Sequence, residues 1–205
     1  RAGLGLLVII AASALIVILA IRMLRARPFA RVLSWGLGIV GGLVVLLAAV
    51  APQLEALAVD RAVTELDAVQ PGRVLGRVVD VTCKEQVQAM VAAAIAEFGR
   101  LDVLVNNAWK GAPLARLEQQ TDAQLRGAFD MGVMAAFWAM QAAVPTFRRL
   151  GGGRVINLCS LNGVNAHMYS ADYNAAKEAL RSLTRTAARE WARDQICCNI
   201  ICPGA

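Results

Sequence analysis

Tyr173 and Lys177 stand four residues apart in the segment Ala171–Arg193, whose apolar spacing predicts a helix. At that spacing two side chains share one helix face and converge. An ammonium beside a phenol favours the phenolate, which brings proton exchange by a tyrosine within reach of neutral pH. A bare Y-x-x-x-K is equally a tyrosine and a lysine on a solvated face, so the pair needs partners. Ser160 is one: it follows the apolar run Arg154–Leu158, thirteen residues before Tyr173. It falls at the end of a buried strand, where a parallel sheet places its ligands.

These side chains need a scaffold, and the chain supplies it as an alternation. Leu54–Leu66 has helical spacing, Arg73–Val79 reads as a short strand, and Lys84–Phe98 is an amphipathic helix stopped at Gly99. Leu101–Val105 reads as a buried strand, and Thr121 caps a long helix to Arg149 that the run Gly151-Gly152-Gly153 ends. Strand Arg154–Leu158, loop Cys159–Ser170, helix Ala171–Arg193 and strand Cys197–Cys202 follow. Strands alternating with helices of ten or more residues imply an α/β fold, a doubly wound parallel sheet covered on both faces.

In such a sheet ligands bind beyond the carboxyl ends of the strands. Four ends carry polar or backbone-opening residues: Asp80-Val81-Thr82, Asn106-Asn107-Ala108, Ser160 and Pro203-Gly204. With Tyr173 and Lys177, in this order and near this spacing, they resemble the short-chain dehydrogenase/reductase family from about residue 54 to 205. The resemblance implies a Rossmann-like fold and NAD- or NADP-dependent hydride transfer between a small-molecule alcohol and a carbonyl. It implies Tyr173 as acid/base, Lys177 as its pKa partner and nicotinamide-ribose ligand, and Ser160 as the second hydrogen bond to the substrate oxygen. Asp80 with Val81 would contact adenine, Asn106, Asn107 and Ala108 the adenosine side, and Pro203-Gly204 would border the nicotinamide.

The pattern departs from the family's at three places. Trp109 follows Asn-Asn-Ala where glycine is usual, and its bulk either crowds the cofactor cleft or points into the substrate pocket. Gly132 stands where many members have an asparagine that relays protons through ordered water. The family's Thr-Gly-x-x-x-Gly-x-Gly loop has no clear counterpart; Gly36-Leu37-Gly38-Ile39-Val40-Gly41 matches only the bare G-x-G-x-x-G spacing.

Apolar residues make up 58% of the 205, with 18% charged, which excludes a disordered chain. The excess is concentrated: Ala2–Ile21 and Val32–Leu54 hold no charge, and each reaches the ~20 residues a membrane helix needs. Residues 1–52 are therefore expected as a hydrophobic segment of one or two membrane helices, ahead of a truncated dehydrogenase-like domain over 53–205. Arg22–Pro28 would be the cytoplasmic flank of a single anchor, leaving the catalytic part cytoplasmic. The rival reading is a membrane-associated, inactive dehydrogenase-like chain that serves as an interaction module.

The net charge of +6 comes from basic residues scattered along helices without interleaved aromatics, so nucleic-acid binding is not expected. Five cysteines and one histidine lack metal or disulfide spacing, and buried reduced thiols are expected, with no metal. The stripe Met131, Met134, Phe137, Trp138 and Met140 reads as core or subunit interface. The resemblance implies a homo-oligomer paired through the long helices 121–149 and 171–193.

Overall fold

The computed structural model describes residues 6–11, 43–48, 52–69 and 74–204. Its sheet is five-stranded and wholly parallel, in the order β2-β1-β3-β4-β5. The strands are β1 Leu6–Ala11, β2 Leu43–Ala48, β3 Val103–Asn106, β4 Gly153–Leu158 and β5 Ile196–Ile201. Between them run α1 Pro52–Asp67, α2 Lys84–Phe98, α3 Asp122–Phe129, α4 Ala135–Arg149, α5 Leu161–Val164 and α6 Ala171–Glu190.

The helical reading of the two apolar runs is corrected at β1 and β2. Leu-Leu-Val-Ile-Ile-Ala and Leu-Val-Val-Leu-Leu-Ala pair with each other in register, and β1 pairs with β3 on its other side. A strand covered on both faces is apolar at every position, so a short run of this kind resembles a piece of membrane helix in sequence. The remaining parts of both runs, the Arg22–Pro28 flank and Gly36–Gly42 lie outside the described residues. Among the described residues one helical stretch, Asp122–Arg149, is long and apolar enough to cross a membrane. In the fold it packs Ala139, Met140, Ala143 and Phe147 into the core.

The residues of the later elements behave as their periodicity dictates. Helix α2 turns Val87, Met90, Val91 and Ala94 inward and ends on Gly99, whose φ of 70° lets its N–H reach Ile95 O at 2.8 Å. Thr121 Oγ1 accepts from Gln124 N at 3.2 Å while the Gln124 side chain accepts from Thr121 N, a reciprocal cap that fixes where α3 starts. The long helix expected over 121–149 is broken: Asp130–Met134 forms a π turn between α3 and α4. The expected strand Arg73–Val79 carries only single bridge residues at Val74 and Val78. The core beneath α2 and α4 centres on Leu104, Met90, Leu101, Met140, Phe147 and Ile196.

Topology sets the functional edge. The chain steps from β1 to β2 on one side and returns to β3 on the other, so β1 lies where the strand order reverses. The crevice beyond the carboxyl ends of such strands is the default ligand site of an open α/β sheet.

Candidate active site

Two polar residues anchor that edge from inside. Asn106 and Asn157 are register neighbours on β3 and β4, and Asn106 Nδ2 donates to Asn157 Oδ1 at 2.7 Å. Asn157 Nδ2 donates to Thr184 Oγ1 at 2.8 Å, and Thr184 passes its own proton to Leu180 O at 2.6 Å. All three side chains are buried, so each bond offsets a desolvation that would otherwise be uncompensated. The chain of bonds fixes α6 against the strand ends. Asn106, expected at the adenosine side, instead spends its amide on this scaffold.

Helix α6 then delivers Tyr173 and Lys177. Lys177 is 4% exposed, and its Nζ donates to Leu158 O at the end of β4 at 2.7 Å. The ammonium is 5.6 Å from the Tyr173 ring centroid and 5.0 Å from that of Trp109. The two rings meet edge to face, 4.7 Å between centroids at 78°. Behind Lys177 lies a cavity of about 10 Å³, room for roughly one water, whose lining includes Val81, Asn106, Ala108 and Gly132.

Ser160 sits two residues beyond the carbonyl that holds Lys177. It is buried, caps α5 and accepts from Asn162 N at 3.1 Å, which uses a lone pair and leaves the hydroxyl proton for another acceptor. Leu161 N donates to Pro203 O at 3.1 Å, so Pro203-Gly204 borders the serine's turn. Ser160, Tyr173, Lys177 and Pro203-Gly204 thus cluster around one strand end.

The other expected residues hold the crevice further along. Asp80 Oδ1 accepts from Thr82 N at 2.9 Å and Thr82 Oγ1 at 2.7 Å, a turn that leads into α2. Val81 is buried, while Asn107 and Ala108 are half-buried. Two features escaped the sequence. Asp172, 4% exposed and next to Tyr173, accepts from Gln120 Nε2 at 3.1 Å while Gln120 Oε1 accepts from Asp172 N at 3.0 Å. Ala115 N donates to Tyr169 O at 2.9 Å, so the loop after β3 is pinned to α6 and to the loop before it. Neither pairing has a local signature, since each joins residues more than fifty apart. Trp109 wall-papers the other side of this loop, in a cleft of about 240 Å³ with Lys110, Gln124, Met131 and Asp172.

The cysteines are all free thiols, and only Cys159 is buried; Cys197 is exposed and Cys83, Cys198 and Cys202 lie between. That corrects the expectation of buried thiols: burial alternates along β5, with Cys197, Asn199 and Ile201 on its exposed face. Burial pushes the Cys159 and Cys198 thiols up to about 11. No cluster of metal-ligating side chains occurs among the described residues.

Burial also pushes the Lys177 ammonium down to about 8, with the nearby Cys159 and Cys202 thiols opposing it. Below pH 8 the lysine is protonated whether folded or unfolded; from there to its ordinary 10.5 the unfolded chain holds more proton, so stability rises with pH. The two raised thiols act oppositely, lowering stability between their ordinary 9.0 and about 11. The lysine's contribution is therefore cleanest below pH 9. Wild type is expected to gain about 1 kcal/mol on Lys177→Met between roughly pH 7.5 and 9. Urea unfolding at each pH measures this, and parallel curves for the two proteins would refute it.

NAD or NADP is the group this edge suggests, and the lysine provides the test of fit. Its ammonium has three N–H bonds and one oxygen acceptor among the described residues, Leu158 O, which suits it to a ribose diol. Ser160 and Pro203-Gly204 would fall at the nicotinamide end, and Asp80 with Val81, Asn107 and Ala108 at the adenosine end. The turn after β1 lies outside the described residues, and the sequence between Gly5 and Gly36 holds no glycine. Gly36–Gly41, which matches the bare G-x-G-x-x-G spacing, also lies outside the described residues, directly ahead of β2 in sequence.

Comparisons with known proteins agree with this architecture. A family model described as short chain dehydrogenase matches residues 40–205. The chain is 38% identical over 143 residues to a 12alpha-hydroxysteroid dehydrogenase of Clostridium sp., covering 68% of this chain and 55% of that protein. It is 37% identical over 126 residues to a diacetyl reductase [(S)-acetoin forming] of Staphylococcus epidermidis, covering 61% and 49%. The chain thus spans about half the length of the curated relatives it matches. Among solved structures, levodione reductase superposes with a TM-score of 0.78 at 27% identity, over 99% of this chain and 72% of that one. An NAD+-bound xylitol dehydrogenase shares the fold with the same TM-score at 23% identity, over 100% and 72%. The parallel sheet, its reversal at β1 and the family match over four-fifths of the sequence lead to one assignment: this chain belongs to the short-chain dehydrogenase family.

Proposed function

We propose that the chain carries the proton-handling half of an NAD(P)-dependent oxidoreductase that interconverts a small-molecule alcohol and a carbonyl. The observation that carries this reading is the position of Lys177 Nζ, bonded to Leu158 O and 5.6 Å from the Tyr173 ring, which draws the phenol, the ammonium and the end of β4 next to Ser160 together. The cofactor, when bound, supplies the acceptor or donor of the hydride. Tyr173 then takes the hydroxyl proton during oxidation and returns it during reduction. Ser160 Oγ donates to the same oxygen and fixes it within hydrogen-bond reach of the phenol. Lys177, protonated below about pH 8, puts a positive charge beside the Tyr173 ring and offers its free N–H bonds to the nicotinamide ribose. Per turnover an alcohol loses one hydride and one proton, giving a carbonyl, reduced cofactor and a released proton.

Relatives named for a 12alpha-hydroxysteroid and for diacetyl support alcohol and carbonyl substrates as a class. Pairing of two copies along the helices over 121–149 and 171–193 is part of the proposal. Titration with NADH and NADPH tests the reading directly. A saturable change in nicotinamide fluorescence with one of them is expected below millimolar concentration. No change with either at millimolar cofactor would overturn it in favour of a chain that retains the fold without the reaction.

A further inference from the structure

Trp109 and Gly132 are unusual separately and make sense together. Gly132 is buried in the π turn Asp130–Met134, and a Cβ there would lie 2.8 Å from Trp109 Cζ3 and 3.4 Å from Cε3. No ordinary side chain fits at 132 while the indole keeps its place. The space that a side chain on the long helix would fill is taken instead by a ring from the loop after β3. That ring lies against both members of the pair on α6, 5.0 Å from Lys177 Nζ and 4.7 Å from the centre of Tyr173.

The buried ammonium has one oxygen acceptor among the described residues, so what surrounds its other N–H bonds decides how easily it keeps its charge. A Trp face within about 6 Å attracts a cation, most strongly where water is excluded. The titratable groups facing it are the Tyr173 phenol on its own helix, the Cys159 thiol after β4 and the Cys202 thiol after β5. The π turn and α4 contribute Met131, Gly132, Ala135 and Ala136 to the adjoining cavity, and the β3 side Asn106 and Ala108. No carboxylate is among them. The indole is therefore the main electron-rich partner available apart from Leu158 O and the phenol.

We propose that Trp109 is a positioning residue of the site: seated by the missing side chain at 132, its indole face holds the Lys177 ammonium charged and its ring fixes Tyr173. This rests on reading Tyr173 and Lys177 as the proton-handling pair. Failure of that reading shows as turnover that survives Tyr173→Phe, whereas failure of the present proposal shows in cofactor-free protein.

The sequence has three lysines, Lys84, Lys110 and Lys177, and the first two are exposed. Protein labelled with 13C at lysine Cε gives three titration curves, and Lys177→Met identifies the buried one. Trp109→Phe keeps an aromatic face, while Trp109→Leu keeps an apolar wall without one. Lys177 in the Phe variant is expected to titrate within about two-fold of wild type in proton affinity. In the Leu variant it is expected to lose about three- to thirty-fold, the range of a desolvated cation–π contact. Equal curves for Phe and Leu, or a higher proton affinity with Leu, would overturn the proposal, because a purely space-filling wall treats the two alike.

A stability cycle tests the seat independently, including the case where a Trp109 variant folds poorly. Gly132→Ala is expected to lower the folding constant about ten-fold in the wild-type background, since the new Cβ displaces the ring. In a Trp109→Ala background the same change is expected to cost less than two-fold. The same loss in both backgrounds would show that the two positions are not coupled.

Discussion

Tyr173→Phe is expected to reduce turnover by about 10²–10⁴-fold while leaving cofactor affinity within about two-fold of wild type. The argument rests on what the change removes. The ring survives, so the edge-to-face contact with Trp109 and its packing beside Lys177 are kept. Only the hydroxyl is lost, and with it the atom proposed to exchange a proton with the substrate oxygen. Ser160 still donates a hydrogen bond, but a serine hydroxyl is too weak an acid to replace a phenol at neutral pH. Steady-state rates with the better of the two cofactors, together with its dissociation constant from nicotinamide fluorescence, give both quantities. Turnover equal to wild type would remove Tyr173 from the proposed role; a parallel loss of cofactor binding would assign it to the cofactor instead.

The second large effect is expected in the sequence that follows β1. Because β1 ends at Ala11, the spacing Gly-x-x-x-Gly-x-Gly counted from that end falls on Ala11, Leu15 and Val17. In dinucleotide sites the first glycine permits a tight turn and the next lets the backbone approach the pyrophosphate. Leu15 and Val17 carry side chains where that pattern has glycine, so wild-type affinity is expected to be weak. Ala11→Gly, Leu15→Gly and Val17→Gly combined are expected to tighten NADH or NADPH at least about ten-fold. Isothermal titration of wild type and the triple variant measures it; unchanged or weaker binding would show that this turn does not hold the pyrophosphate.

Much of the scaffold could be read from local pattern. Lys84–Phe98 begins and ends where its apolar spacing and Gly99 place it, and Thr121 forms the cap its type suggests. Leu101–Val105, Arg154–Leu158 and Cys197–Cys202 each emerge as strands within about two residues of the expected bounds. These signals are local: a helix face repeats every 3.6 residues, and a cap is settled by groups three residues apart. The break at Asp130–Met134 was not readable, since the tight approach at Gly132 comes from Trp109, twenty-three positions away.

The two N-terminal apolar runs show the limit from the other direction. Leu6–Ala11 and Leu43–Ala48 are uniformly apolar, and uniform apolarity satisfies a membrane helix and a doubly covered strand equally. What distinguishes them is pairing, of Leu6 with Leu43 on one side and with Val103 on the other, and no window of local sequence contains those partners.

By itself, then, the sequence determined the set of chemical groups and the strand ends that bear them: Ser160 after β4, Asn106 after Leu101–Val105, and Tyr173 with Lys177 one turn apart. Residue type and short-range spacing are enough for that, because backbone geometry over four or five residues is nearly invariant. Only the tertiary structure decided which neighbours those groups have. It gave Asn106 to a buried scaffold bond, set Trp109 against Lys177 in the space that Gly132 leaves, and put β1 at the point where the sheet's order reverses. Each of these depends on side chains from distant segments excluding the same water, and that exclusion exists only once the chain has folded.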